Sequence, residues 1–275
     1  MIPSDASGPL IDCHAHVWGP DMPFAVTAWN RPAYTYSVEH YQADLEAAGI
    51  KYGVIAAASL FGTYNDYVIR ALRANPNLRA TAILDPAQCD FHTIEALRRE
   101  GIIGARLMWY AKDDLSEMAG DPFRLMCRRL RDFGMHVHVT IEGERLVPLI
   151  RELRTTGVPV VIDHFGIHEE EPGLEAATYV DMVRLLDQDD GVFVKISGGF
   201  RHRNRGLGAL YAQDLLTRFG PSRLFWGSDS PFVGHEHEAN MDLALQLYRE
   251  AVPDPATRRA MEEAAFGFYF ADGSG

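Results

Sequence analysis

DPFRLMCRRLRDFGMHVHVT, residues 121–140, is the stretch from which the fold is read. Asp121-Pro122 opens a helix over 121–133, Gly134 closes it, and a strand over 135–140 follows at once. Proline suits the first helical turn because the N–H it lacks has no partner there, and glycine suits the stop because it takes a positive φ without a Cβ clash. The same helix, glycine, strand order continues in both directions. Runs rich in Val, Ile and Ala predict further strands at 10–18, 52–59, 79–84, 101–108, 158–163, 191–197 and 223–229, eight in all. Between them lie helices at 37–48, 63–74, 91–100, 143–156, 174–187 and 207–219, with two more near 238–249 and 255–266. Gly49, Gly101, Gly157 and Gly220 mark further helix ends.

Strands alternating with helices feed a parallel sheet, and no Ser/Gly-rich linker divides the chain. The expected architecture is therefore α/β, one (β/α)8 TIM barrel with C-terminal helices, covering residues 1–275 as a single domain. An open doubly wound sheet is the alternative. Neither GxGxxG nor GxxxxGK[ST] follows the first strand, which speaks against nucleotide chemistry.

The 275 residues are 47% hydrophobic and 23% charged, enough to bury a large core and too apolar for a disordered chain. Acidic residues outnumber basic ones by 38 to 26, a net charge of −12 that repels phosphate backbones and anionic lipid. No nucleic acid or membrane partner is expected. Cys13, Cys89 and Cys127 are odd in number and scattered, which argues against a disulfide framework and for a reducing compartment. The first residues have no basic and apolar leader pattern, and no run approaches the ~18 apolar residues of a membrane span. A cytoplasmic protein is expected, with homo-oligomerisation left open.

In a barrel of this kind, functional side chains gather where strands end and βα loops begin. Asp12, His14 and His16 are spaced by two in the first strand, so strict alternation puts all three on one face, with Cys13 turned toward the barrel–helix layer. His136 and His138 repeat that spacing in the fifth strand, and which of them faces the site stays open. Asp163-His164 ends the sixth strand and Ser228-Asp229 the eighth. His40, His92 and His168 lie in helical or loop contexts and are expected at the surface. Arg106 ends the fourth strand and Arg201 follows the seventh; two converging guanidiniums suit a dicarboxylate, and they let an acidic protein hold an anion. The direction of Arg203 and Arg205 is not set, and Lys195 is expected in an ion pair inside the barrel, with Asp163 as its partner. Trp18, Trp29, Tyr34, Tyr36, Trp109 and Tyr110 fall in loops that would ring the mouth, with Tyr36, narrowly ahead of Tyr34, as the hydroxyl for substrate.

Taken in order, IDCHAHVWGP, GARLMWY, VIDHFG, VFVKISGGFR and LFWGSDSPF resemble the amidohydrolase superfamily, most closely the branch containing 2-pyrone-4,6-dicarboxylate lactonase and related lactonases. The resemblance spans nearly the whole chain. It implies a hydrolase that opens a lactone ring of a small carboxylated substrate, with Asp229 activating water, His14, His16 and His164 at the carbonyl, and Arg106 and Arg201 holding anionic groups. The superfamily pattern also implies a site for one divalent metal, zinc, on His14, His16, His138 and Asp229, with His164 nearby; the pyranone-dicarboxylate branch works without a required metal. Strand 4 offers Arg106 where binuclear relatives carry a bridging ligand, so at most one ion is expected. The rival functions are a mononuclear zinc-dependent hydrolase or nonoxidative decarboxylase, a lactone isomerase, and a noncatalytic anion-binding protein. Serine chemistry gains no support without GxSxG, and no CxxC pair is present.

Overall fold

A computed structural model describes residues 9–110, 114–168 and 171–271. Eight parallel strands run in the order β1 (Ile11–Ala15), β2 (Tyr52–Ile55), β3 (Leu78–Ala82), β4 (Ile102–Met108), β5 (His136–Thr140), β6 (Val160–Ile162), β7 (Val192–Ile196) and β8 (Leu224–Trp226), each paired with the next. The helices between them are α1 (Val38–Ala47), α2 (Asp66–Ala74), α3 (Phe91–Arg99), α4 (Asp121–Asp132), α5 (Leu146–Arg154), α6 (Ala177–Gln188) and α7 (Gly206–Phe219). After β8 come α8 (Met241–Ala251) and α9 (Pro255–Phe270). This is the (β/α)8 barrel expected from the alternation, and the open sheet is set aside by its closure. Asp229 N–H donates to the His14 carbonyl at 2.8 Å, and His16 N–H donates to the Ser230 carbonyl at 2.7 Å, joining the end of β8 to the end of β1.

Local chemistry explains the element ends. Asp90, Asn240 and Asp254 cap α3, α8 and α9 by accepting from free N–H groups of the first turn. Gly134 ends α4 with φ +64°, the left-handed conformation the sequence called for. Most strands are shorter than their apolar runs at the downstream end, because the backbone leaves the ladder there to carry His16, Asp163, Ser197 and Asp229. In the opposite sense, α9 runs past the expected residue 266 to Phe270. The added turn places Tyr269 against Ile11, Cys13, Val54, Ile103, Val161 and Phe225, so the C-terminal helix plugs the barrel floor. The larger core lies between the sheet and the surrounding helices. Among the described residues no helix is long and apolar enough to cross a membrane.

Candidate active site

The register slips between Asp12 and Ala15 where β1 pairs with β2. Such an irregularity breaks strict alternation. Asp12 and His14 therefore do not share a face as expected. Asp12 accepts from Tyr41 Oη of α1 at 3.1 Å, from Ser228 Oγ at 2.6 Å and from Ser228 N–H at 2.8 Å, tying β1 to β8. Burial nevertheless raises its pKa to about 6. Cys13 belongs to the barrel-floor cluster rather than the barrel–helix layer. His14 is held close to β8 by Gly227, where a Cβ would lie 2.5 Å from the His14 Cβ; any side chain there would displace the histidine.

At the strand ends His14 Nε2 lies 3.7 Å, His16 Nε2 3.5 Å and His164 Nε2 3.9 Å from one atom, Asp229 Oδ1. The other oxygen, Oδ2, accepts from Arg201 Nε at 2.7 Å. His16 is oriented by Nδ1, 2.8 Å from the Ala56 carbonyl, and His164 by Nδ1, 2.9 Å from Ser197 Oγ. His164 (φ +50°) and Asp229 (φ +64°) both have left-handed backbones, a conformation uncommon outside glycine that tends to collect at functional sites. His14 Nε2 and Asp229 Oδ1 are buried with no hydrogen-bond partner, so two polar atoms face the same small space unsatisfied.

Below this ring lies a buried ionic layer. Asp163 accepts from Arg106 Nε at 3.0 Å and Thr140 Oγ1 at 2.7 Å, and its Oδ1 is 3.3 Å from Lys195 Nζ, the ion pair expected for that lysine. Lys195 Nζ also lies 3.0 Å from His14 Nδ1 and 3.1 Å from His138 Nδ1. Burial opposes charge on Asp163, but the Lys195 ammonium and the Arg106 guanidinium hold its carboxyl well below the usual range. Burial likewise opposes charge on Asp229, which the Arg201 guanidinium first and then His164 overcome, holding its carboxyl well below the usual range. His14 is pushed well below the ordinary imidazole range by burial and then by Lys195, and His164 falls to about 4 through burial.

Several expected placements change. Arg106 is 4% exposed and directs its guanidinium inward, to Asp163, to the Ala57 carbonyl at 2.8 Å and to Thr140 at 3.0 Å, rather than outward as a clamp. His138 pairs in register with Arg106, mid-strand, and Thr140 takes the strand-end place. Its Nε2 meets His136 Nε2 at 2.9 Å and Tyr269 Oη at 3.4 Å, so neither histidine of β5 reaches the ring. Tyr36 donates to Asp44 and accepts from Ser230 Oγ at 2.8 Å, bracing the loop after Asp229 instead of offering a free hydroxyl; Tyr34 donates to Glu236 at 2.9 Å. His40 and His92 are exposed as expected, but His168 is buried, with Nδ1 3.1 Å from Thr178 Oγ1. Arg203 and Arg205 are exposed. Trp18 and Trp109 are packed inside, whereas Trp29 and Tyr110 are exposed. Thr140 and Ser197 were missed as site residues, although the spacing of two that selects His138 and Lys195 reaches each of them next.

Among the described residues, one group could hold a metal ion: His14, His164 and Asp229, whose ligand atoms lie within 4.8 Å of one another. Two imidazoles and a carboxylate suit one divalent ion, and the unsatisfied His14 Nε2 and Asp229 Oδ1 point into that space. His164 replaces His138 in this set, and His16 stands at its edge.

Neutral buried histidines make the protein acid-sensitive. His136 is lowered to about 3, and His164 and His168 to about 4, each chiefly by burial. The unfolded chain binds these protons first, from the ordinary 6.5 downward, so stability falls as pH drops through that window and the loss levels off below the folded values. Each should cost about 2 kcal/mol near pH 5. Urea midpoints at neutral pH and near pH 5 check this; equal midpoints would contradict it.

Against known proteins, a family model described as amidohydrolase matches residues 11–264. A 4-sulfomuconolactone hydrolase of Rhizobium radiobacter is 30% identical over 262 residues, covering 90% of this chain and 85% of that protein. A 2-pyrone-4,6-dicarboxylate hydrolase of Comamonas testosteroni is 24% identical over 243 residues, covering 80% and 76%. The solved structure of a candidate 2-pyrone-4,6-dicarboxylic acid hydrolase of Pseudomonas putida superposes with a TM-score of 0.85 at 28% identity, covering 94% of this chain and 98% of that one. A match over nearly the full barrel, on a chain whose strand ends gather histidines around a buried aspartate, makes this protein a member of the amidohydrolase family.

Proposed function

We propose that this enzyme hydrolyses the lactone ring of a small carboxylated substrate, in the class of pyranone dicarboxylates and muconolactone-like acids. The observation that carries the reading is the convergence of His14 Nε2, His16 Nε2 and His164 Nε2 on Asp229 Oδ1 at the barrel mouth. The similarity to two lactone-opening hydrolases supports it. Asp229 is ionised and accepts a proton from water as the water oxygen attacks the ring carbonyl. His16 donates Nδ1–H to the Ala56 carbonyl, so in its neutral form Nε2 is a bare acceptor that orients the same water. His14 and His164 face the carbonyl oxygen, where negative charge develops. The ring C–O bond then breaks, and the proton passes to the departing oxygen. If one zinc ion is bound, His14, His164 and Asp229 would hold it, and it would supply Lewis-acid polarisation.

Arg201 is the cation placed to meet a substrate carboxylate: Nε holds Asp229, and the side chain remains 32% exposed at the mouth. Arg201→Leu should lower kcat/KM for the anionic lactone by roughly 10–100-fold, the worth of a charge-assisted hydrogen bond. Because Arg201 also holds the Asp229 carboxyl down, the acid limb of the pH profile should move to higher pH. Unchanged KM and an unchanged limb would remove Arg201 from the site.

Product mass tests the reaction class. Incubation with pyranone dicarboxylates and muconolactone-like acids should give a product heavier by one water. Loss of carbon dioxide would indicate decarboxylation, and an unchanged mass with a new chromatographic position would indicate isomerisation; either would overturn the proposal.

A further inference from the structure

His14 Nδ1 has two polar neighbours that demand opposite proton positions. Asp163 Oδ1, at 3.3 Å, can only accept, which would require Nδ1–H and leave Nε2 with a bare lone pair. Lys195 Nζ, at 3.0 Å, donates when paired with a carboxylate, which requires a bare Nδ1 and leaves the proton on Nε2. Geometry separates the two. Asp163 Oδ1 is buried without a hydrogen-bond partner, while the contact between Lys195 and His14 has hydrogen-bond geometry.

The neighbouring contacts agree. Lys195 Nζ also reaches His138 Nδ1 at 3.1 Å, and His138 Nε2 meets His136 Nε2 at 2.9 Å, a contact that needs one protonated and one bare nitrogen. One ammonium can supply both Nδ1 atoms while staying in ionic contact with Asp163 Oδ1 at 3.3 Å, and these contacts are then mutually compatible. His16 has the opposite pattern, because a carbonyl fixes its proton on Nδ1.

We propose that Lys195 is a positioning residue that fixes His14 as an Nε2–H donor, so that the site meets a carbonyl oxygen with an N–H and disfavours a divalent ion on the same nitrogen. Lys195 touches neither substrate nor water in this scheme and acts only through His14. Removing it would free Nδ1–H to turn to Asp163 Oδ1 and would bare Nε2, completing the ligand set with His164 and Asp229. The inference rests on the location of the site given above, not on the identity of the lactone, and its readouts need no substrate, so it can fail while ring-opening activity is found, and the reverse.

The test is the two-bond 15N–1H spectrum of the histidine rings in the metal-free protein, with the His14 signals assigned by their absence from His14→Gln. Wild type should show His14 as the Nε2–H tautomer; the Nδ1–H tautomer would overturn the proposal whether or not any Lys195 variant folds. In folded Lys195→Met the tautomer should switch, and zinc should bind roughly tenfold or more tightly by calorimetry, the size of effect typical of groups that orient metal-binding histidines. An unchanged tautomer, or zinc affinity equal to wild type, would also overturn it.

Discussion

Asp229→Asn is expected to lower turnover of the lactone about 10²–10⁴-fold, the range for a positioned general base, while leaving the barrel folded. The amide cannot take a proton from water, and among the described residues no other carboxylate pairs with the Nε2 atoms of His14, His16 and His164 that face Asp229 Oδ1. Asparagine keeps the size and the backbone N–H that donates to the His14 carbonyl, so the closure of β8 on β1 survives. Arg201 loses its ionic partner but sits at the mouth, where water can solvate it. The rate and a thermal melt are read together. Turnover near wild type in a folded variant would mean that another group activates water.

The second large effect is on stability. Asp163→Ala removes the carboxylate that, among the described residues, faces both Arg106 at 3.0 Å and Lys195 at 3.3 Å, all three being buried. Two cations would then share a closed interior without a counter-charge. Breaking a buried pair from one side costs about 3–5 kcal/mol, against a total of about 5–15 kcal/mol for a typical protein. The variant should lose a large part of its resistance to urea and be poorly soluble when expressed. A midpoint within error of wild type would show that the layer contributes little. The effect also has a pH signature: because the folded carboxyl is held well below its ordinary value, its stabilisation is present above that value and disappears as acid protonates it.

The barrel was legible because its determinants are local. Each helix stop lies just before a strand, as Gly134 does before His136, and eight such units dictate their own neighbour order. His14, His164 and Asp229 were legible for a related reason, since they stand next to strand ends and a barrel brings all strand ends to one mouth. What the sequence concealed depends on distant partners. The slip in β1 arises from pairing with β2 and reverses the side that Cys13 faces. Arg106 read as a clamp because the residues that draw it inward, Ala57, Thr140 and Asp163, lie far from it in the chain. His138 read as a ligand because spacing gives the face of a strand but not the depth along it, and depth here is set by register with β4 and by Tyr269 entering from α9.

A crystal structure of Asp229→Asn with a bound, unhydrolysed pyranone dicarboxylate is the most direct measurement. The lactone carbonyl should lie in the space bounded by His14, His164 and residue 229, with a carboxylate of the same molecule on Arg201. A ligand bound at the barrel floor beside α9, or at the mouth with its carbonyl turned away from both histidines, would contradict the assignment.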